Sequence, residues 1–257
     1  MLTNYHTHHD RCRHASGTVE DYIKEAVRHG FHEIGMSCHV PYEDFSELKA
    51  TRMTYGELQD YFGDIEEAQK KYPGLSILKS LECEYFPQLD HYIKRLYEEC
   101  DYLVLGQHYI YYKGEYLICF RFTEAEQLRL YGDSVVKALE TGYFKILAHP
   151  DVFMSKYPKW DSVCTEISRK MIESALKNDV ILEINANGYR KGQKKYEDGL
   201  RYGYPSENFW HLVSKEYPQA KVMINSDCHN PVFLNDEFMT KGREFAKRLN
   251  LNVVEKL

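Results

Sequence analysis

Two spacings of apolar residues, one helical and one strand-like, take turns along the chain, and their order predicts most of its architecture. After Thr18-Val19-Glu20-Asp21, a capping-box start, Tyr22, Ile23, Ala26 and Val27 recur at helical intervals until Gly30 supplies a stop. The run Glu33-Ile34-Gly35-Met36-Ser37 then reads as a short strand. The exchange continues, with strands expected at 77–82, 102–106, 144–148, 180–185 and 222–225, and helices at 55–71, 89–99, 123–142, 163–178, 206–217 and 236–249. With an opening strand at 2–5, seven strands emerge. Strands alternating with helices of this length form parallel βα units, and their even spread favours one closed α/β barrel over two domains. A single domain, 1–257, is therefore expected. The long irregular stretches 40–53, 108–122 and 187–205 all begin close to a predicted strand end, where long connections usually wrap a site.

Charge and cysteine usage narrow the partners. A net charge of −6 and a pI near 6.1 provide no basic field for a long nucleic acid, so a small substrate fits better. The seven cysteines are odd in number and form no CxxC pair, which argues for reduced thiols in a cytoplasm rather than a secreted disulfide framework. No basic stretch followed by an apolar leader opens the sequence, and no run approaches a membrane span. A cytoplasmic protein without membrane association is expected, its oligomeric state left open.

The candidate chemistry lies in the histidines. Of the twelve, several fall at or just past predicted strand ends, the face on which a β/α barrel builds its site. His6 and His8 follow the first strand, His39 the second, His108 the fourth and His149 the fifth, while Glu82 ends the third and Asp227 with His229 follow the seventh. His14 lies in the loop after His8. Imidazole nitrogens and carboxylate oxygens suit zinc, iron or manganese, and the spacing of two in His6-Thr7-His8 and Asp227-Cys228-His229 turns each pair to one face. Glu82 and Glu84 also share a face, so spacing leaves either as a ligand. His29, His32, His91 and His211 read as solvated or capping side chains.

In this order the residues resemble the polymerase and histidinol phosphatase (PHP) phosphoesterases, and within them the monofunctional histidinol-phosphate phosphatases. Tyr5-His6-Thr7-His8 with His14-Ala15, Ser37-Cys38-His39 and Leu81-Glu82-Cys83-Glu84 are similar to the first three motifs. Leu105-Gly106-Gln107-His108, Leu147-Ala148-His149-Pro150-Asp151 and Asn225-Ser226-Asp227-Cys228-His229 are similar to the rest. One departure is Cys38, where an aspartate would precede His39. The resemblance implies a distorted (β/α)7 barrel, TIM-barrel-like, holding three divalent ions (Zn, Fe or Mn). It assigns His6, His8, Glu82 and Asp227 to the first ion, His14, His39 and His229 to the second, and Glu82, His108 and His149 to the third, which makes Glu82 a bridge and resolves its ambiguity with Glu84.

The implied reaction is hydrolysis of a small phosphorylated substrate, L-histidinol phosphate, by a metal-bridging hydroxide in histidine biosynthesis. Asp227 would orient the water or carry a proton to the leaving alkoxide. Arg190, in the run after the sixth strand, is the expected phosphate clamp because a guanidinium can give two parallel hydrogen bonds. Glu84 would meet the substrate ammonium. Competing expectations are a related phosphoesterase acting on nucleotides, DNA ends or phosphotyrosine, an inactive regulatory module, and a metal-dependent amidohydrolase, whose carbamylated-lysine pattern is not apparent.

Overall fold

The computed structural model describes residues 1–42 and 50–257, so the expected irregular stretch 40–53 lies partly outside the described residues. Its strands are β1 (Thr3–Asn4), β2 (Glu33–Met36), β3 (Ser76–Cys83), β4 (Tyr102–Leu105), β5 (Tyr109–Tyr112), β6 (Glu115–Ile118), β7 (Ile146–Leu147), β8 (Ile181–Asn185), β9 (Lys194–Tyr196), β10 (Gly199–Arg201), β11 (Lys221–Asn225) and β12 (Asn252–Val253). Eight of them form one parallel sheet in the order β1-β2-β3-β4-β7-β8-β11-β12. The seven expected strands are all in it. The eighth, β12, pairs only two residues with β11, too few to leave a period in the sequence.

The sheet curls until its outer members meet. At one end Thr3 Oγ1 donates to the Glu255 carbonyl at 2.7 Å, and the Met1 amino group pairs with the Glu255 carboxylate at 2.9 Å. At the other, Thr7 and Cys228 form an isolated parallel bridge, with the His8 N–H donating to the Cys228 carbonyl at 3.0 Å. This seam brings the segment after β1 against the segment after β11.

The helices are α1 (Val19–His29), α2 (Leu58–Lys71), α3 (Asp90–Glu99), α4 (Ala125–Leu139), α5 (Ser162–Lys177), α6 (Ala186–Arg190), α7 (Glu207–Glu216) and α8 (Glu237–Arg248). The predicted capping box at Thr18 and Asp21 starts α1, and Gly30 ends it at φ +72°. Asp161 and Asp236 each cap a helix by accepting two backbone N–H groups. Among the described residues no helix is long and apolar enough to cross a membrane. The apolar helix faces pack against the outside of the sheet, while Tyr5, Tyr102, Val104, Ile146, Ile181 and Met223 fill the barrel floor. Burying such side chains contributes about 1.5–3 kcal/mol each, and the filled floor leaves polar side chains only the upper end. The antiparallel hairpins β5–β6 and β9–β10 stand in the loops above it, in stretches whose alternation is too short to separate from loop.

Candidate metal centre

At the upper end the strands deliver their last side chains inward. Glu82, near the end of β3, is 1 % exposed and stands at the middle of the group. Its Oε1 lies 3.4 Å from His6 Nε2, 3.5 Å from His108 Nε2 and 3.1 Å from His149 Nε2. Its Oε2 lies 3.5 Å from His8 Nε2 and 2.8 Å from His39 Nδ1. Gly106 makes this position possible, since a Cβ there would stand 2.0 Å from Glu82 Oε1.

Across the seam, Asp227 Oδ1 lies 3.1 Å from His8 Nε2 and 3.7 Å from His6 Nε2. His229 Nε2 and His14 Nε2 are 2.9 Å apart, and the rings of His8 and His39 have centroids 4.2 Å apart. Thus all nine expected ligands converge. Asp227 at φ +44° and His149 at φ +31° hold the left-handed region without being glycine, a local backbone cost of about 1–3 kcal/mol each where the chain must turn a ligand inward.

The donor set fits divalent cations. Buried His6 Nε2, His8 Nε2 and His39 Nδ1 have no hydrogen-bond partner among the described residues, although buried polar atoms are normally paired. Ligand atoms gather within 4.8 Å of one another in the trios His6-His8-Asp227, His8-His39-His229 and His39-Glu82-His108. Nitrogen-rich sites of this kind accept zinc, iron or manganese. Cys12 Sγ also falls within 4.8 Å of ligand atoms of His14 and His229, a neighbour that spacing alone did not single out.

Charge is arranged accordingly. Burial pushes the Glu82 carboxyl up, but the facing imidazoles of His108, His6 and His39 outweigh it and hold the group well below the usual carboxylate range. Asp227 behaves likewise, with His6, His8 and His229 opposing burial. Burial and the neighbouring His8 push His39 well down and His229 down to about 3, the direction that favours a free lone pair for a cation.

A second layer orients the rings. His6 Nδ1 lies 2.8 Å from Glu183 Oε1, and Glu183 also accepts from the His149 N–H at 3.1 Å, Asn185 Nδ2 at 2.8 Å and Asn225 Nδ2 at 3.0 Å. Glu84 is 2.8 Å from His108 Nδ1, while His14 Nδ1 and His229 Nδ1 face the carbonyls of Cys12 and Asp227. Fixing one ring nitrogen directs the other at the centre. Glu183 is the last acid on its strand, two residues before Asn185, and its role emerges only where His6, His149 and Asn225 meet it in the folded chain.

Two expected substrate contacts need correction. Glu84 is 1 % exposed and enclosed between Arg52 and His108, so it does not reach the cavity to meet an ammonium. Arg190 lines the cavity, yet its Nε and Nη2 hold Asp236 at 2.7 and 3.0 Å, while Nη1 and Nη2 hold the carbonyls of Ser226 and Phe233 at 2.6 and 2.9 Å. A two-pronged grip on phosphate is no longer open to it. The cavity above Glu82 measures about 470 Å³ and is walled by Tyr109, Phe120, Tyr204 and Phe233, so the loop 108–122 does contribute to its enclosure. Lys191, also on its wall, has an ammonium whose pKa burial lowers.

Comparison with known proteins agrees with this geometry. The sequence profile described as the PHP domain matches residues 4–187. The chain is 24% identical over 255 residues to a protein of Bacillus subtilis named histidinol-phosphatase, covering 87% of this chain and 92% of that one. It is 25% identical over 240 residues to a Deinococcus radiodurans protein named "Probable histidinol-phosphatase", covering 90% and 87%. Among solved structures, the histidinol phosphate phosphatase of Lactococcus lactis, in complex with zinc, L-histidinol and phosphate, has the same fold with a TM-score of 0.69 at 17% identity, over 98% of this chain and 95% of that one.

Proposed function

The chain belongs to the PHP domain family, and on that premise we propose that it is a metal-dependent phosphatase that hydrolyses L-histidinol phosphate to L-histidinol and inorganic phosphate. The observation that carries the reading is the position of Glu82, buried at the middle of five imidazoles, with Oε1 facing His6, His108 and His149 and Oε2 facing His8 and His39. A carboxylate so surrounded could be shared between cations. The names of relatives that cover most of the chain support histidinol phosphate as the ester.

Three ions are assigned. His6, His8, Glu82 and Asp227 would hold the first, His14, His39 and His229 the second, and Glu82, His108 and His149 the third. Zinc, iron or manganese bound there supplies a clamp for phosphoryl oxygens and lowers the pKa of a coordinated water to about 7, so that hydroxide is available at neutral pH. Asp227 Oδ2 accepts from Asn185 Nδ2 at 3.1 Å and Asn187 Nδ2 at 3.3 Å, which leaves Oδ1 turned to the centre. That oxygen would orient the attacking hydroxide or, having taken the proton that the water loses on ionising, pass it to the leaving alkoxide. The aromatic wall encloses the organic part of the ester.

The test is phosphate release from histidinol phosphate, nucleotides, a phosphotyrosine peptide and single-stranded DNA by metal-loaded protein, with elemental analysis of the same sample. The expected result is the highest kcat/KM for histidinol phosphate, loss with a chelator, and three ions per chain. A preference for nucleotides or DNA ends would overturn the substrate, and activity unaffected by complete metal removal would overturn the chemistry.

A further inference from the structure

The cavity above Glu82 must receive a phosphoryl group carrying up to two negative charges, and among the described residues three non-histidine cations line it: Arg52, Arg190 and Lys191. Two already pair with a carboxylate. The Arg52 guanidinium is 3 % exposed and pairs with Glu84 through Nη2, while its Nε and Nη1 are buried without a hydrogen-bond partner among the described residues. Arg190 is held by Asp236 and by the carbonyls of Ser226 and Phe233.

Lys191 differs. It follows α6, and as a whole residue it is exposed, while its Nζ end turns back between aromatic rings. Nζ stands 4.3 Å from the centroid of Phe120 and 5.0 Å from that of Tyr204, and donates to Tyr204 Oη at 2.7 Å. An ammonium has three N–H donors, so two have no hydrogen-bond partner among the described residues. The same two rings border the centre: Tyr204 lies 6.0 Å from the His149 ring and Phe120 6.4 Å from the His108 ring. Gly188 allows this arrangement, because a Cβ there would stand 2.2 Å from the Tyr204 carbonyl oxygen. The ring faces hold the ammonium in place without supplying an anion, which leaves its charge for a ligand.

We propose that Lys191 is the phosphate-binding cation of this site, its ammonium contacting a non-bridging oxygen of the phosphoryl group from the wall formed by Phe120 and Tyr204. The assignment rests on the phosphatase reading for its substrate, but it concerns the phosphate group alone. A charge-assisted contact made to both substrate and transition state acts on KM more than on kcat.

The experiment uses the metal-loaded full chain with Lys191→Met, Lys191→Gln and Lys191→Arg, titrated with inorganic phosphate by calorimetry and assayed on histidinol phosphate, with metal content measured on each. The expected result is phosphate affinity weakened about 10- to 100-fold in Lys191→Met and Lys191→Gln, KM raised to match with kcat much less changed, partial recovery in Lys191→Arg, and unaltered metal content. Wild-type phosphate affinity in both neutral variants, or loss of metal from them, overturns the assignment. If wild-type protein binds phosphate but does not hydrolyse histidinol phosphate, the substrate reading fails while the titration still decides the role of Lys191.

Discussion

Replacing Glu183 by glutamine keeps the side chain's size and removes its charge, and the structure sets what that should cost. The carboxylate accepts four N–H groups: His6 Nδ1 and Asn225 Nδ2 on Oε1, the His149 backbone and Asn185 Nδ2 on Oε2. Whichever way the new amide turns, its NH2 group confronts two of these donors. The asparagines cannot rotate freely in response, since Asn225 Oδ1 accepts from the Tyr5 N–H and Asn185 Oδ1 from the Asn187 N–H. A buried donor left unsatisfied costs about 1–3 kcal/mol, so two cost about 2–6 kcal/mol, comparable with much of a domain's net stability of about 5–15 kcal/mol. The His6 ring also loses the acceptor that directs its Nε2, and loss of such a partner lowers metal affinity about 10- to 100-fold. Urea unfolding of metal-free protein measures the first quantity, and zinc competition against a chromophoric chelator the second. Wild-type values in both would refute the reasoning, while lost stability with wild-type zinc affinity would reduce Glu183 to a structural residue.

Arg190→Met breaks a mostly buried pair with Asp236 and should lower stability by about 3–5 kcal/mol in chemical denaturation. Full stability with weakened phosphate binding would instead restore Arg190 as a phosphate clamp. Gly106→Ala sets a methyl group against Glu82 Oε1 and should reduce metal content by elemental analysis, and a fully loaded variant would contradict the close contact. Asp161→Ala removes the cap of α5 and should cost about 0.5–2 kcal/mol at pH 7. Burial opposes the Asp161 charge, but the N–H groups of Cys164 and Val163 and the Tyr157 hydroxyl outweigh it and hold the pKa below 3.8. The cap's pH-dependent contribution is therefore complete above the unfolded value of about 3.9 and is lost as pH falls through the lower folded value. The gap between wild type and variant should narrow in acid, and a gap that widens there would contradict the sign.

How much of this could be read from the sequence depended on the range of the interaction. The βα alternation is a local signal, and it located all seven expected strands and placed His6, His8, His39, Glu82, His108, His149, Asp227 and His229 at or beyond their ends. Strand β12 and the hairpins β5–β6 and β9–β10 stand outside the βα alternation that revealed the others. Glu84 shows the other limit. Its spacing relative to Glu82 correctly suggested a shared direction, but its environment depends on Arg52, thirty-two residues earlier in an irregular stretch, and on the ring of His108. Arg190 was misread for the same reason, because Asp236 and the Ser226 and Phe233 carbonyls reach it only in the folded chain. Lys191, its neighbour, carries no signal that distinguishes it until Phe120 and Tyr204 are seen beneath its ammonium.

The seam between Thr7 and Cys228 gives the order of synthesis a role in assembly. His6 and His8 precede Asp227 and His229 by more than two hundred residues, so a growing polypeptide lacks part of the candidate cation-binding set until both segments have been made. Ions captured across that join would act as a clasp between two segments far apart in sequence, coupling full occupancy to closure of the sheet.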